Sequence, residues 1–198
     1  MKAYPTDDMK LVVGLGNPGR RYAGTRHNVG FDTVAELARR FGDGGGVRSR
    51  FDAETVECGI GGERTLLLLP QTYMNRSGIS VVKARDFYKV SDEEILVVCD
   101  DFNLPLSRLR IRGKGSAGGQ NGLADIIRCL GTDEVPRLRI GVGPVPPRWD
   151  PADFVLGKFD AEEREEIEIS IARAADAATH WIENGVEATM NLYNAESE

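Results

Sequence analysis

The chain has 198 residues, 41% of them hydrophobic and 28% charged, a size and balance that fit one globular domain built around one core. No stretch approaches the roughly 18 consecutive apolar residues of a membrane span, and the opening MKAYPTDDMK leads into no signal-like apolar run, so a cytoplasmic protein with no membrane partner is expected. A formal net charge of −6 argues against indiscriminate nucleic-acid binding, which rests on summed phosphate neutralisation, and confines any RNA contact to a local patch.

In chain order, MKLVVGL (9–15) reads as a buried strand. FDTVAELARRFG (31–42) has helical apolar spacing and a terminal glycine, and so reads as an amphipathic helix. DGGGVRSR (43–50) is expected to be a loop. FDAETVECGI and RTLLLLP form a strand pair turning at Gly61 and Gly62, and SGISVVKARDFYKV a second helix. After these come the apolar run EILVVCD, the alternating stretch RLRIR, the helix-like GLADIIRCLG and the strand RLRIGVG. Residues 144–159, PVPPRWDPADFVLGKF, are too proline-rich for a regular element to be expected. A D-x-x-E cap at Asp160 opens a long helix to about Asn184, with Gly185 as its stop. Strands alternating with helices predict a single α/β domain over 1–198, a mixed and mostly parallel twisted sheet with helices on both faces; residues 1–8 are expected to be flexible.

GLGNPG (14–19) matches the G-x-G-x-x-G of dinucleotide-binding turns and directly follows a strand. In that motif a helix opens at once toward a pyrophosphate, whereas here the apolar period begins only at Phe31, so no nicotinamide or flavin cofactor is expected. Cys58, Cys99 and Cys129 are widely spaced and odd in number, which gives neither a disulfide framework nor a cysteine zinc site.

Polar residues recur just beyond strand ends, where open α/β sheets place their ligands: Asn17, Asn75, Asp100 and Asn121, with His27 in the loop after the first strand. A histidine can take a proton from water while a carboxylate on its other ring nitrogen fixes the tautomer. Asparagines position a carbonyl or orient a water without adding charge. No nucleophile elbow is present, and His27 with Asp100 supplies too few ligands for a hydrolytic metal, so the set points to water activation without a metal. Each residue alone has an ordinary structural use, and an asparagine beside Pro18 or Gly122 is equally a turn residue.

Four segments, GLGNPGRRYAGTRHNVGF, PQTYMNRSG, CDDFNLP and GSAGGQNGL, taken in this order, resemble the signature segments of bacterial-type peptidyl-tRNA hydrolase. The resemblance covers nearly the whole chain. It implies a monomeric enzyme that needs no cofactor or obligate protein partner and cleaves the ester between a peptide and the 3′-terminal ribose of tRNA, freeing the tRNA for further rounds of translation. By resemblance His27 is the catalytic base, Asp100 its orienting carboxylate, and Asn17 and Asn75 bind beside the scissile ester. Asn121 then holds substrate or water, Tyr22, Tyr73 and Met74 line the cleft, and residues 144–159 form a lid over it. Tyr73 and Met74 are equally ordinary core residues on the pattern alone.

Arg108, Arg110, Arg112 and Lys114 alternate along one strand and its loop, so one face carries a row of cations, with Arg128, Arg137 and Arg139 as extensions. The row also reads as a solvated edge strand; the family implies a clamp for the tRNA 5′-phosphate at Arg112 and Arg139. The same resemblance expects a histidine where Gln120 stands and an aspartate where Asn103 stands, and neither departure is expected to touch the proton transfer. Some members of the fold serve as RNA-binding factors in intron splicing; the charged outer helices here, as in EEREEIEIS, do not favour that use.

Overall fold

A computed structural model of the chain describes residues 9–42 and 46–195; residues 1–8, expected to be flexible, lie outside the described residues. The strands are β1 Met9–Gly14, β2 Arg48–Arg50, β3 Ala53–Ile60, β4 Glu63–Pro70, β5 Ile95–Pro105, β6 Leu109–Arg112 and β7 Arg137–Gly143. The helices are α1 Val29–Phe41, α2 Ser77–Tyr88, α3 Asn121–Leu130, α4 Pro151–Leu156 and α5 Ala161–Tyr193. The seven strands form one sheet in the order β2-β3-β4-β1-β5-β7-β6. Its centre, β4-β1-β5-β7, is parallel, and β2, β3 and β6 extend the two edges antiparallel. The carboxyl ends of the central strands therefore open on the same side of the molecule.

Both faces of the sheet are covered, which is why the central strands read as continuous apolar runs rather than alternating ones. Leu11 and Val13 of β1 pack with Val81 and Ala84 of α2 and with Leu123 and Ile126 of α3. Val12 points the other way, into a core with Val34 and Leu37 of α1 and Ala174, Ala178 and Trp181 of α5. Cys58 and Cys99 fill these cores as small apolar groups, and Cys129 is half-buried.

At three places the sequence expectation needs correction. Residues 48–50, expected as loop, pair with β3 as a short edge strand. The proline-rich stretch 144–159 contains a helix, α4, because Pro151 takes the first turn, where a backbone N–H has no partner to lose, and the Asp150 carboxylate caps it by accepting from the Ala152 N–H at 2.7 Å. In α5 the Asp160–Glu163 capping box forms as expected, but Gly185 (φ 78°) only kinks the helix. The chain resumes helical geometry because Val186, Met190 and Tyr193 pack on the core and Asn194 bonds both backbone groups of Ile111 on β6.

One glycine fixes the depth at which α1 enters. A Cβ on Gly30 would lie 2.3 Å from the Val98 carbonyl oxygen and 2.6 Å from the Leu15 backbone, so only glycine lets the start of α1 rest against β1 and β5. The 3-10 turn Arg26–Asn28 just before it is thereby set over the carboxyl end of β5.

Candidate active site

Beyond the carboxyl ends of the central strands lies a cleft of about 500 Å³. Its walls include Asn17 after β1, Tyr73, Met74 and Asn75 after β4, Asp100 on β5, Asn121 opening α3, and His27 and Tyr22 from the loop after β1. All eight residues expected from sequence for the ester site thus share one concavity.

His27 Nδ1 and Asp100 Oδ2 are 2.9 Å apart, and both side chains are buried. A carboxylate only accepts, so Nδ1 carries the hydrogen and the lone pair is on Nε2, the nitrogen left for cleft chemistry. The second histidine, His180, sits on α5 against Thr189 and takes no part in the cleft. Cys99, next to Asp100, is fully buried and its thiol is pushed up by desolvation, which makes it a poor nucleophile.

Asn17 is held from two sides. Its backbone N–H donates to Asn28 Oδ1 at 2.9 Å, and Asn28 Nδ2 donates back to the Asn17 carbonyl at 3.0 Å. Its side-chain Oδ1 accepts from the Met74 N–H at 2.9 Å, which fixes the amide's orientation and leaves Nδ2 as its unspent donor. Asn75 and Asn121 are exposed on the cleft wall. Tyr73 is 57% exposed at the mouth, while Met74 is buried at its base.

The structure also gives contacts around the site that the sequence reading did not foresee. Gln120, expected to leave the proton-transfer groups untouched, donates from Nε2 to Asp100 Oδ1 at 3.0 Å. Asn103 does keep clear of them: its N–H bonds Asp101 and its side chain bonds the Gly118 carbonyl. Asp150, Val155 and Leu156 from α4 and its cap close one side of the cleft. The far end of that helix is tied down by Arg26, whose guanidinium lies between the rings of Phe154 and Phe159, 4.4 and 4.6 Å from their centroids. Arg26 also pairs at 2.7 Å with Glu163, the residue that completes the α5 cap. The segment over the cleft is therefore fastened to the residue next to His27.

The basic row is only partly free. Arg110 and Arg112 stand opposite Arg139 and Arg137 on β7, so the four cations do share one face. Arg137 is buried and spends its guanidinium on the carbonyls of Asp133, Val135, Gly115 and Ser116. Arg139 pairs with Asp101 at 3.1 Å and with the Ser116 carbonyl at 2.7 Å, while its Nε is buried without a partner among the described residues. The Arg112 side chain is exposed and has no hydrogen bond or ion pair to another described residue.

No helix of the described residues is long and apolar enough to cross a membrane, and among them no cluster of three or more His, Cys, Asp or Glu side chains could hold a metal ion. A family model described as peptidyl-tRNA hydrolase matches residues 11–198. The peptidyl-tRNA hydrolase of Rhodopirellula baltica is 55% identical over 189 residues, 96% of this chain and 99% of that one. One from Chlorobium phaeobacteroides is 51% identical over 94% of this chain and 98% of its own length. The crystal structure of the Acinetobacter baumannii peptidyl-tRNA hydrolase superposes with a TM-score of 0.86 at 36% identity, covering 98% of each chain.

Proposed function

The chain belongs to the peptidyl-tRNA hydrolase family, and on that premise we propose that it cleaves the ester of peptidyl-tRNA with a water activated by His27 and Asp100. The observation that carries the reading is the buried 2.9 Å contact between His27 Nδ1 and Asp100 at the floor of the cleft. His27 Nε2 takes a proton from water as its oxygen attacks the ester carbonyl carbon. Asp100 stabilises the imidazolium so formed. The bond to the ribose oxygen then breaks, that oxygen receives the proton from His27, and free tRNA leaves with a peptide acid, which gives its remaining proton to solvent to become the carboxylate. Asn17 Nδ2 donates toward the oxygen on which charge develops; Asn75 and Asn121 bind the peptide end, the terminal nucleotide or the water. Tyr22, Tyr73 and Met74 offer apolar surface to varied peptides or to the terminal base, and Met74 suits that because its side chain adapts in shape.

Residues 144–159 act as a lid in this reading. Because Arg26 fastens Phe154 and Phe159, opening is left to the side nearer Trp149, which is exposed. In this reading the chain is a cytoplasmic enzyme of translation. The test is incubation with N-acylaminoacyl-tRNA and with plain aminoacyl-tRNA, following release of free tRNA. Faster release from the acylated substrate is expected, and no release above the blank from either would overturn the function.

Arg112 and Arg139 belong to the same proposal as the grip on the 5′-phosphate. Each end or single-strand phosphate contact contributes a slope of roughly 0.7 in log affinity against log salt. Arg112→Ala is expected to weaken tRNA binding and flatten that slope by about one contact, while sparing cleavage of a short acyl-nucleotide fragment lacking the 5′ end. Arg139→Ala is expected to do the same once its guanidinium exchanges Asp101 for phosphate. Equal losses on fragment and full tRNA would assign these arginines to the fold and remove them from the clamp.

A further inference from the structure

Gln120 occupies the N-cap of α3, a place where Ser, Thr, Asp or Asn would serve the helix better. Its side chain is buried and all of its amide is engaged. Oε1 accepts the Leu123 N–H at 2.8 Å. A backbone N–H can only donate, so the amide cannot be turned around, and Nε2 must face the other way. There it meets Asp100 Oδ1 at 3.0 Å and Met74 Sδ at 3.2 Å. The two oxygens of Asp100 are thus divided, one to His27 and one to Gln120. A chain of contacts crosses the cleft floor from Asn17 through Met74 and Gln120 to Asp100 and His27.

We propose that Gln120 is a positioning residue for the hydrolytic reaction, a neutral donor through which the N-terminus of α3 holds the Asp100 carboxylate in the rotamer that orients His27. A carboxylate with one tethered oxygen swings about its last bond, and the imidazole bonded to the other oxygen swings with it. With both oxygens held, the pair is fixed before substrate arrives. An amide does this without titrating and without adding charge beside Asp101 and Arg139, the ionisable groups next along β5 and β7. The proposal rests on the reading of His27 and Asp100 given above, and it makes this chain's departure from the family pattern at position 120 part of the site's construction.

Gln120→Ser separates the two duties, since serine caps a helix but is too short to reach Asp100. On N-acylaminoacyl-tRNA it is expected to lower kcat by about tenfold, the scale of a slightly misplaced catalytic group, with KM within about twofold and a melting temperature lowered only by the unpaired Asp100 oxygen, the helix cap being kept. Gln120→Leu should lose the same kcat and melt lower still. In the Asp100→Asn background Gln120→Ser should lower kcat no further and should raise it, because the serine removes the N–H that opposes the asparagine amide when it accepts from His27. A wild-type kcat in Gln120→Ser, or the full tenfold loss persisting on Asp100→Asn, would overturn the proposal. Failure of the wild-type protein itself to release tRNA would instead overturn the hydrolase reading.

Discussion

His27→Ala is expected to lower turnover of N-acylaminoacyl-tRNA by at least about 10²- to 10⁴-fold, the usual contribution of a positioned general base, with tRNA affinity nearly unchanged. The expectation follows from geometry. With Nδ1 committed to Asp100, only Nε2 is left to take a proton, and no other described histidine lines the cleft. Alanine also leaves Asp100 buried with one oxygen unpaired, so the variant's melting temperature belongs in the same experiment. Turnover within about threefold of wild type in a folded variant would mean that the base lies elsewhere.

Asp100→Asn is expected to lower turnover by less than His27→Ala. The neutral amide offers no anion to the imidazolium that forms during turnover. The amide meets a second difficulty here, because both neighbours of Asp100 donate to it: His27 Nδ1 on one oxygen and Gln120 Nε2 on the other. An asparagine accepts on one side only. Turned to accept from His27 it sets N–H against N–H at Gln120; turned the other way it forces the imidazole into the tautomer whose Nε2 already bears hydrogen and cannot act as base. The rate reports the population of the first arrangement. A larger loss than for His27→Ala, with the fold intact, would point to Asp100 as the base itself.

Much of this site was legible in the sequence because strand ends are legible. The runs MKLVVGL, RTLLLLP and EILVVCD mark β1, β4 and β5 by continuous apolarity, and parallel pairing sends the residues after them to one side. His27, Asp100 and Asn17 needed only that rule and the family motifs. Gln120 was visible but misjudged, since a departure from a motif says what is missing and not what the new side chain reaches. Its contact with Asp100 is made across the gap between α3 and β5, which no local pattern records. A proline count hid α4, although Asp150 before Pro151 is itself a helix-start signal. Arg139 was placed correctly in the alternating row. Its inward pairing with Asp101 and the Ser116 carbonyl depends on the 113–119 loop folding back over it, where Gly118 leaves no room for a Cβ beside the guanidinium.

Direct attack by water separates this mechanism from one that passes through an acyl-enzyme. A single turnover in ¹⁸O-labelled water, with excess enzyme over N-acylaminoacyl-tRNA, reads the released acid, the tRNA and the intact enzyme by mass. One labelled oxygen in the carboxylate of the acid, an unlabelled tRNA 3′ end and no enzyme carrying the acyl group at any time is the predicted result. An enzyme heavier by the acyl group during turnover, or label in the tRNA, would contradict it.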